Sequence, residues 1–240
     1  AMNDALAAAR RDMADYREYI ETWVHEVKTP IASARLTLEN LPGPPLQGLE
    51  EALFQIEGYV EQALFYARSG AVERDYVVRP MALRQAASDA VKKYARPLIA
   101  AGFSVELEGL DAVAYADGKW VEFILGQLIS NAIKYRGEHP RLVFTQSRAE
   151  QSVALNVADN GVGIPQADLP RVCEKGFTGE NGRKLSKRST GLGLYLCRTL
   201  CGRLGLGFSI ASQAGEGTRV SIIFPKGRFY LLGEREELKQ

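Results

Sequence analysis

Apolar residues at Tyr16, Tyr19, Ile20, Trp23, Val27, Ile31, Ala34 and Leu38 recur at three- and four-residue spacing. The stretch that carries them, from about Asp4 to Leu41, has no glycine and a single proline, Pro30. This periodicity predicts one long helix with a single apolar stripe. Pro30 has no amide hydrogen and its ring crowds the preceding turn, so a bend is expected just after His25. Leu41-Pro42-Gly43-Pro44-Pro45 ends the helix, and Leu49, Leu53, Ile56, Val60, Ala63 and Leu64 mark a second one to about Arg68. Two amphipathic helices in an antiparallel hairpin leave apolar surface wet. A symmetric dimer forming a four-helix bundle would cover it; the alternative is packing of the hairpin on the rest of its own chain.

After Ser69-Gly70 the pattern changes. Tyr76-Val77-Val78 reads as a strand, Met81 to Ala101 as a helix, and Phe103 to Glu108 and Val113 to Ala116 as strands. Lys119 to Tyr135 reads as a helix, followed by strands at Arg141 to Gln146 and Val153 to Ala158. A long loop then leads to a helix from Gly193 to Leu204 and strands at Gly207 to Ser212 and Thr218 to Phe224. Mixing of this kind implies a sheet layered with helices, and an α+β chain as a whole. The boundaries expected are a helical domain at 1–69, a mixed domain at 70–228 and a charged tail at 229–240.

Composition narrows the class. A length of 240 residues suggests two domains, and 46% hydrophobic with 25% charged residues is ordinary for globular cores, which excludes disorder and fibre. Thirty basic residues against twenty-nine acidic give a net charge of +1, so bulk attraction to nucleic acid is not indicated and no nucleic-acid partner is expected. The three cysteines, Cys173, Cys197 and Cys201, form no C-x-x-C pair, which fits a reducing compartment. Cys197 and Cys201 lie one helical turn apart and read as buried small side chains rather than metal ligands. No apolar run approaches the roughly 20 residues that span a bilayer, and no signal peptide is read at the start. The fragment is expected to be soluble.

Five segments carry candidate chemistry. In Trp23-Val24-His25-Glu26-Val27-Lys28-Thr29-Pro30, a histidine beside an acid on a helix suits phosphoryl transfer, although an isolated helical histidine is more often a packing or solvated residue. Gln127, Asn131, Lys134 and Tyr135 share one face of the predicted helix, gathering amide oxygens, an ammonium and a phenol. Amide oxygens are hard ligands for magnesium and the ammonium suits phosphate; the other reading is a solvent-facing polar face. Asp159-Asn160-Gly161-Val162-Gly163-Ile164-Pro165 follows an apolar strand, and Gly161 and Gly163 would let backbone approach a ligand while Asp159 accepts from an exocyclic amine. A turn with no ligand explains it equally. Ser189-Thr190-Gly191-Leu192-Gly193-Leu194 opens a helix whose free amides favour an anion. Before it runs Glu174 to Thr190, with Lys175, Arg183, Lys184, Lys187 and Arg188, either a mobile basic loop that closes over a triphosphate or an exposed charged one. Gly215-Glu216-Gly217-Thr218 is either a hairpin turn or the edge of a base pocket completed by the Thr218 hydroxyl.

Taken in order, His25-Glu26-Val27-Lys28-Thr29-Pro30, Asn131-Ala132-Ile133-Lys134-Tyr135, Asp159-Asn160-Gly161-Val162-Gly163, Gly176-Phe177 and Thr190-Gly191-Leu192-Gly193-Leu194 resemble the five boxes of bacterial two-component sensor histidine kinases. The resemblance covers about Asp4 to Pro225. The wording Lys175-Gly176-Phe177-Thr178-Gly179-Glu180-Asn181-Gly182-Arg183 looks like the intramembrane-sensing subgroup linked to bacitracin and antimicrobial peptides.

The resemblance implies a dimerisation and histidine phosphotransfer hairpin at 1–69. It implies, over 70–228, a catalytic ATP-binding α/β sandwich of the type shared with gyrase, ninety-kilodalton heat-shock chaperones and MutL. His25 would take the γ-phosphoryl group of ATP, Glu26 would accept its proton, and Thr29 would position water for dephosphorylating a partner. Asn131 would hold Mg2+ with Gln127, a departure, since many members carry asparagine there. Lys134 and Tyr135 would face phosphate and nucleoside, and Asp159 the adenine amine. Gly161, Gly163, Phe177, Thr190, Gly191, Leu192, Gly193 and Thr218 would complete the ATP pocket. The partners implied are a second copy in a homodimer, the receiver domain of a response regulator and, for the full-length protein, a membrane transporter. The chain would then be the cytoplasmic portion of a bacterial cell-membrane protein. Two other classes fit parts of the pattern. A degenerate ATP-binding adaptor is opposed by intact His25, Glu26, Asn131 and Asp159; an ATPase-driven clamp needs an acid where Gln127 stands.

Overall fold

The computed structural model describes residues 15, 19–20, 22–23, 26–27, 29–34, 36, 46–69, 77–179 and 190–226. His25, the turn at 41–45, Tyr76, the basic segment 180–189 and the tail 229–240 lie outside the described residues. The chain divides into two compact units, Ala1–Ala71 and Val72–Gln240.

In the first unit the described residues between Asp15 and Leu36 are all helical, including Thr29 to Ala34, which runs through Pro30. A second helix, α1, spans Leu46–Ser69. Trp23 Nε1 donates to the Tyr59 carbonyl at 2.8 Å, joining the first helical segment to α1 across the hairpin. An indole has one donor and no acceptor, so this bond fixes both the depth and the rotation of the ring. Tyr19, Pro30 and Ala52 are buried. Ile31, Leu36, Leu53 and Val60 are not: they remain 46%, 58%, 48% and 39% exposed, so the hairpin alone does not bury its apolar stripe.

The second unit is a mixed sheet covered by helices. Its elements are β1 (Arg79–Ala82), α2 (Leu83–Lys93), α3 (Ala95–Ala100), β2 (Ser104–Leu107), β3 (Val113–Ala116) and α4 (Gly118–Lys134). They are followed by β4 (Arg141–Ala149), β5 (Ser152–Asp159), a short 3-10 turn (Leu169–Arg171), α5 (Gly193–Arg203), β6 (Gly207–Gln213) and β7 (Gly217–Pro225). Five strands lie in the order β2-β4-β5-β7-β6, with β2 and β4 parallel and the other pairs antiparallel; β1 and β3 form a separate antiparallel pair. Along β4, β5 and β7, buried Leu142, Phe144, Leu155, Val157, Val220 and Ile222 alternate with the half-buried Val143, Thr145, Asn156 and Ser221. This period of two places one face of the sheet in the core.

Helix α4 lies against α2 and α5. Trp120, Val121, Phe123, Ile124, Leu125, Leu128, Ile129 and Ala132 are all buried, and each large side chain contributes about 1.5–3 kcal/mol on leaving water. Its start is fixed by Asp117, whose carboxylate accepts from Lys119 N at 3.0 Å and from Val77 N at 3.1 Å. Such a cap is worth about 1 kcal/mol.

Two sequence expectations change. The strand expected at 76–78 begins instead at Arg79, and Val77 and Val78 are irregular. The helix expected from Met81 to Ala101 begins two residues later and breaks at Tyr94 into α2 and α3. Pro97 explains the break. Having no amide hydrogen, it is tolerated only in the first turn of a helix, and a new helix starting at Ala95 gives it that position.

Candidate functional site

Three neighbouring strands bring Asp159, Thr218 and Ser212 into one row. Asp159 on β5 pairs with Thr218 on β7, and Thr218 pairs with Ser212 on β6. In antiparallel strands directly paired residues share a face, so all three side chains lie on the face that carries the core, at its end. At this end of the sheet an open recess of about 340 Å³ is lined by Asp159, Ser212, Gln213, Glu216, Thr218 and Arg219, among others. The Asp159 carboxylate accepts from Gly161 N at 2.9 Å and also from the Thr218 amide. Burial nevertheless outweighs these donors and holds the carboxyl above its usual pKa. The site thus keeps a desolvated acid that its own surroundings do not fully compensate, as acids at binding sites often are.

The segment after Asp159 is tied down on two sides. Val162 N donates to the Tyr135 carbonyl at the end of α4 (3.0 Å), and Gly215 N in the β6–β7 turn donates to the Val162 carbonyl (2.9 Å). Gly161 lies against the Tyr135 carbonyl so closely that a Cβ would overlap it, and would also come within 2.9 Å of Asp159 Oδ1. At Gly163 φ is +64°, and a Cβ would fall on the Gln213 carbonyl. The chain's own packing therefore demands these glycines. Gly163→Ala is expected to lower stability by about 3 kcal/mol, since it combines left-handed strain with a backbone clash. Gly215→Ala, at φ +84° with nothing within 4 Å, should cost only about 1 kcal/mol. Urea unfolding of both variants measures the difference, and equal losses would show that the Gln213 contact is not rigid.

On α4, the buried Gln127 and the half-buried Asn131 point toward the start of α5. A Cβ on Gly193 would lie 3.3 Å from Gln127 Oε1 and 3.8 Å from both Asn131 amide atoms. Two amide carbonyls thus stand beside a helix N-terminus that has no side-chain cap. Neutral hard oxygens next to free amides fit a magnesium-bound phosphate chain, with the phosphates supplying the missing negative charge. Lys134 Nζ sits 5.6 Å over the Tyr135 ring at the C-terminal end of the same helix.

The segment between β5 and α5 is anchored where it is described. Gly176 N donates to the Gly191 carbonyl at 3.2 Å, and a Cβ on Gly191 would lie 2.6 Å from Phe177 N. The Phe177 ring carries the Arg171 guanidinium at 4.5 Å, and Thr190 Oγ1 accepts from Leu192 N at 3.0 Å. Leu192 is buried. Arg183, Lys184, Lys187 and Arg188 lie outside the described residues. Of the hairpin residues, Glu26 and Thr29 are half-buried in helix, and His25 between them and Trp23 lies outside the described residues.

Cys197 and Cys201 are fully buried, as their spacing suggested. Burial pushes the Cys201 thiol up to about 12 and the Cys197 thiol well above its usual value, so both stay protonated and are poor ligands. Among the described residues no group of three or more His, Cys, Asp or Glu side chains is placed to hold a metal, and no helix is long and apolar enough to cross a membrane. Ser212 is the site residue that sequence reasoning passed over. Its signal was the register of the hairpin: the turn at Gly215-Glu216-Gly217 implies a residue opposite Thr218.

Residues 116–228 match the family of histidine kinase-, DNA gyrase B- and HSP90-like ATPases. Sensor histidine kinase YxdK of Bacillus subtilis is 34% identical over 208 residues, covering 86% of this chain and 64% of that protein. Sensor protein BceS of Halalkalibacterium halodurans is 33% identical, covering 85% and 61%. Sensor protein kinase GraS of Staphylococcus aureus is 28% identical, covering 94% and 65%. The chain therefore spans a little under two thirds of the length of these relatives. Among solved structures, histidine kinase AdeS of Acinetobacter baumannii aligns with a TM-score of 0.58 at 21% identity, covering 84% of this chain and 97% of that one. Histidine kinase ThkA, solved in complex with response regulator protein TrrA, aligns with a TM-score of 0.61 at 16% identity, covering 91% and 64%. Those likenesses establish the fold, and the relatives make this chain similar over most of its length to sensor histidine kinases, with residues 116–228 matching the histidine kinase-, DNA gyrase B- and HSP90-like ATPases.

Proposed function

We propose that the chain is an ATP-dependent protein histidine kinase that phosphorylates its own His25 and passes the phosphoryl group to an aspartate of a response regulator. One observation carries the choice of kinase over ATPase: α4 presents Gln127 and Asn131 to the start of α5, and the one acid in that helix, Glu122, pairs instead with Lys93. An amide cannot take a proton from water, so the site lacks the base that hydrolysis needs at that position, while a neutral imidazole brings its own lone pair.

The roles follow from the chemistry of the side chains. Asp159, aided by Thr218, accepts from the adenine amine. Lys134, Thr190, Leu192 and Gly193 meet the phosphates, the last three through the start of α5; Tyr135 flanks the nucleoside, and Phe177 with Gly176 anchors the segment that covers it. Magnesium held by Asn131 and Gln127 would supply charge neutralisation at the phosphates. The His25 ring nitrogen attacks the γ-phosphorus in line, the bond to the β,γ-bridging oxygen breaks with ADP leaving, and Glu26 takes the proton from the other ring nitrogen. Thr29, one turn on, orients water when the regulator is dephosphorylated. Ile31, Leu36, Leu53 and Val60, left exposed on the hairpin, support a second copy that completes a four-helix bundle. The full-length protein would be anchored in a bacterial cell membrane and, as its likeness to the antimicrobial-peptide subgroup suggests, work beside a membrane transporter.

Incubation with γ-labelled ATP and Mg2+ tests the reading. The expected product is chain-bound phosphate, lost in acid and stable in base, that moves to an added receiver domain. Release of inorganic phosphate with no such intermediate would favour the ATPase; binding without either would favour the adaptor.

A further inference from the structure

The hydroxyl of Ser212 has three partners. It accepts from Ile164 N at 2.8 Å, lies 2.6 Å from the Gly217 carbonyl oxygen, and lies 2.9 Å from Thr218 Oγ1. A serine hydroxyl has one hydrogen and two lone pairs. A carbonyl oxygen cannot donate, so at 2.6 Å the hydrogen between it and Ser212 must be the serine's; two bare oxygens at that distance would repel. Ser212 then has no hydrogen left for Thr218, and the Ile164 amide occupies one lone pair. The 2.9 Å contact is a hydrogen bond only if Thr218 donates into the second lone pair. Thr218 has thereby used its only hydrogen.

We infer that Ser212 is a positioning residue for base selection: by taking the Thr218 hydrogen it turns that hydroxyl into a pure acceptor toward the recess. Asp159 beside it, when ionised, is also a pure acceptor. The row then offers acceptors and no side-chain donor, an arrangement that suits a purine with an amine at C6, whose two hydrogens can meet the two groups. A purine with a carbonyl at C6 sets oxygen against oxygen. The inference rests on the ATP reading above and adds to it the group that sets the direction of one hydrogen bond. Ser212 itself need not touch the base. Its influence reaches the ligand through Thr218, with the recess lined by all three residues.

A site built to accept from an amine rejects the analogue that lacks it because a buried acceptor is left facing another acceptor. Reversing one such hydrogen bond changes selectivity by about tenfold. The test is the ratio of affinities of the full chain for ATP and inosine triphosphate, by calorimetry. The wild type is expected to favour ATP by at least about tenfold. In Ser212→Ala the Thr218 hydrogen is free to turn into the recess, so the ratio should fall by about tenfold, with ATP weakened and inosine triphosphate held or improved. Ser212→Thr, which keeps the hydroxyl, should retain the wild-type ratio.

Equal weakening of both nucleotides in Ser212→Ala would make Ser212 a structural residue only and overturn the inference. Thr218→Val gives a second reading that leaves the Ile164 and Gly217 bonds in place. It too should lower the ratio by several-fold, and an unchanged ratio there overturns the inference even if Ser212→Ala does not fold. A wild type that binds neither nucleotide would instead remove the ATP reading and this inference with it.

Discussion

His25→Gln is expected to leave no acid-labile phosphate on the chain while ATP binding stays within about twofold of wild type. The loss is large because the substituted atom is the proposed nucleophile. An imidazole nitrogen keeps a lone pair available near neutral pH, whereas the amide of glutamine delocalises its own into the carbonyl and does not attack phosphorus. A drop of at least about a thousandfold is the scale expected when a covalent acceptor is removed. Binding should persist because the residues proposed to hold ATP, from Gln127 to Thr218, belong to the unit at Val72–Gln240, and His25 belongs to the unit at Ala1–Ala71. The chain has only one other histidine, His139. Its carbonyl accepts from Asn160 Nδ2 at 2.8 Å, beside the loop that follows Asp159. His139→Gln therefore makes the control and should label normally. Phosphate that persists in His25→Gln and disappears in His139→Gln would move the acceptor to the second unit and overturn the assignment.

How much of this was legible beforehand depended on what fixed each element. Helix α4 was, because its apolar residues and the capping Asp117 point the same way, and so was β3 at Val113–Ala116. Strand β1 was not. Arg79-Pro80-Met81-Ala82 has no strand signature, and Pro80 argues against one; it is a strand because it pairs with β3 in a sheet of two, where an edge proline sacrifices no obligatory ladder bond. The glycines were recognised as special, but the atoms they make room for at Gly161, Gly163 and Gly191 include backbone of the chain itself, at Tyr135, Gln213 and Phe177. Residue type told that a close approach occurs and could not tell with what. Ser212 illustrates a further limit of pattern. A serine in a strand is unremarkable until the register places it opposite Thr218, and its hydrogen-bond direction exists only once Gly217 and Ile164 are in place.

Asp159→Asn carries the other large effect, and its pH dependence separates a binding carboxylate from a structural one. The carboxylate accepts from the Gly161 and Thr218 amides and, in the proposed complex, from the adenine amine. Asparagine has one carbonyl oxygen in place of two carboxylate oxygens. If that oxygen serves the backbone amides, the NH2 faces the purine amine, donor against donor; if it serves the purine, a buried backbone donor loses its partner. Either costs about 1–3 kcal/mol, and more for the lost charge, so ATP affinity should fall by about tenfold to several hundredfold. The wild type should also lose affinity as pH falls through the raised pKa of Asp159, because the protonated acid no longer accepts with full charge. The same shift has the opposite sign for the unliganded fold. A folded pKa above the unfolded one contributes stability below the unfolded value, and that contribution is lost as pH rises through the folded value. ATP binding reverses the bias by favouring the ionised form, so it should release protons from the wild type in weakly acidic solution and release fewer from the variant. Taking the ratio of wild-type to variant affinity at each pH cancels titration of the phosphates. That ratio should rise with pH and level off once Asp159 is ionised. A ratio near one throughout would remove Asp159 from the pocket, and a large ratio that does not vary with pH would make the residue a structural anchor of the Gly161 turn and not the acceptor of the base.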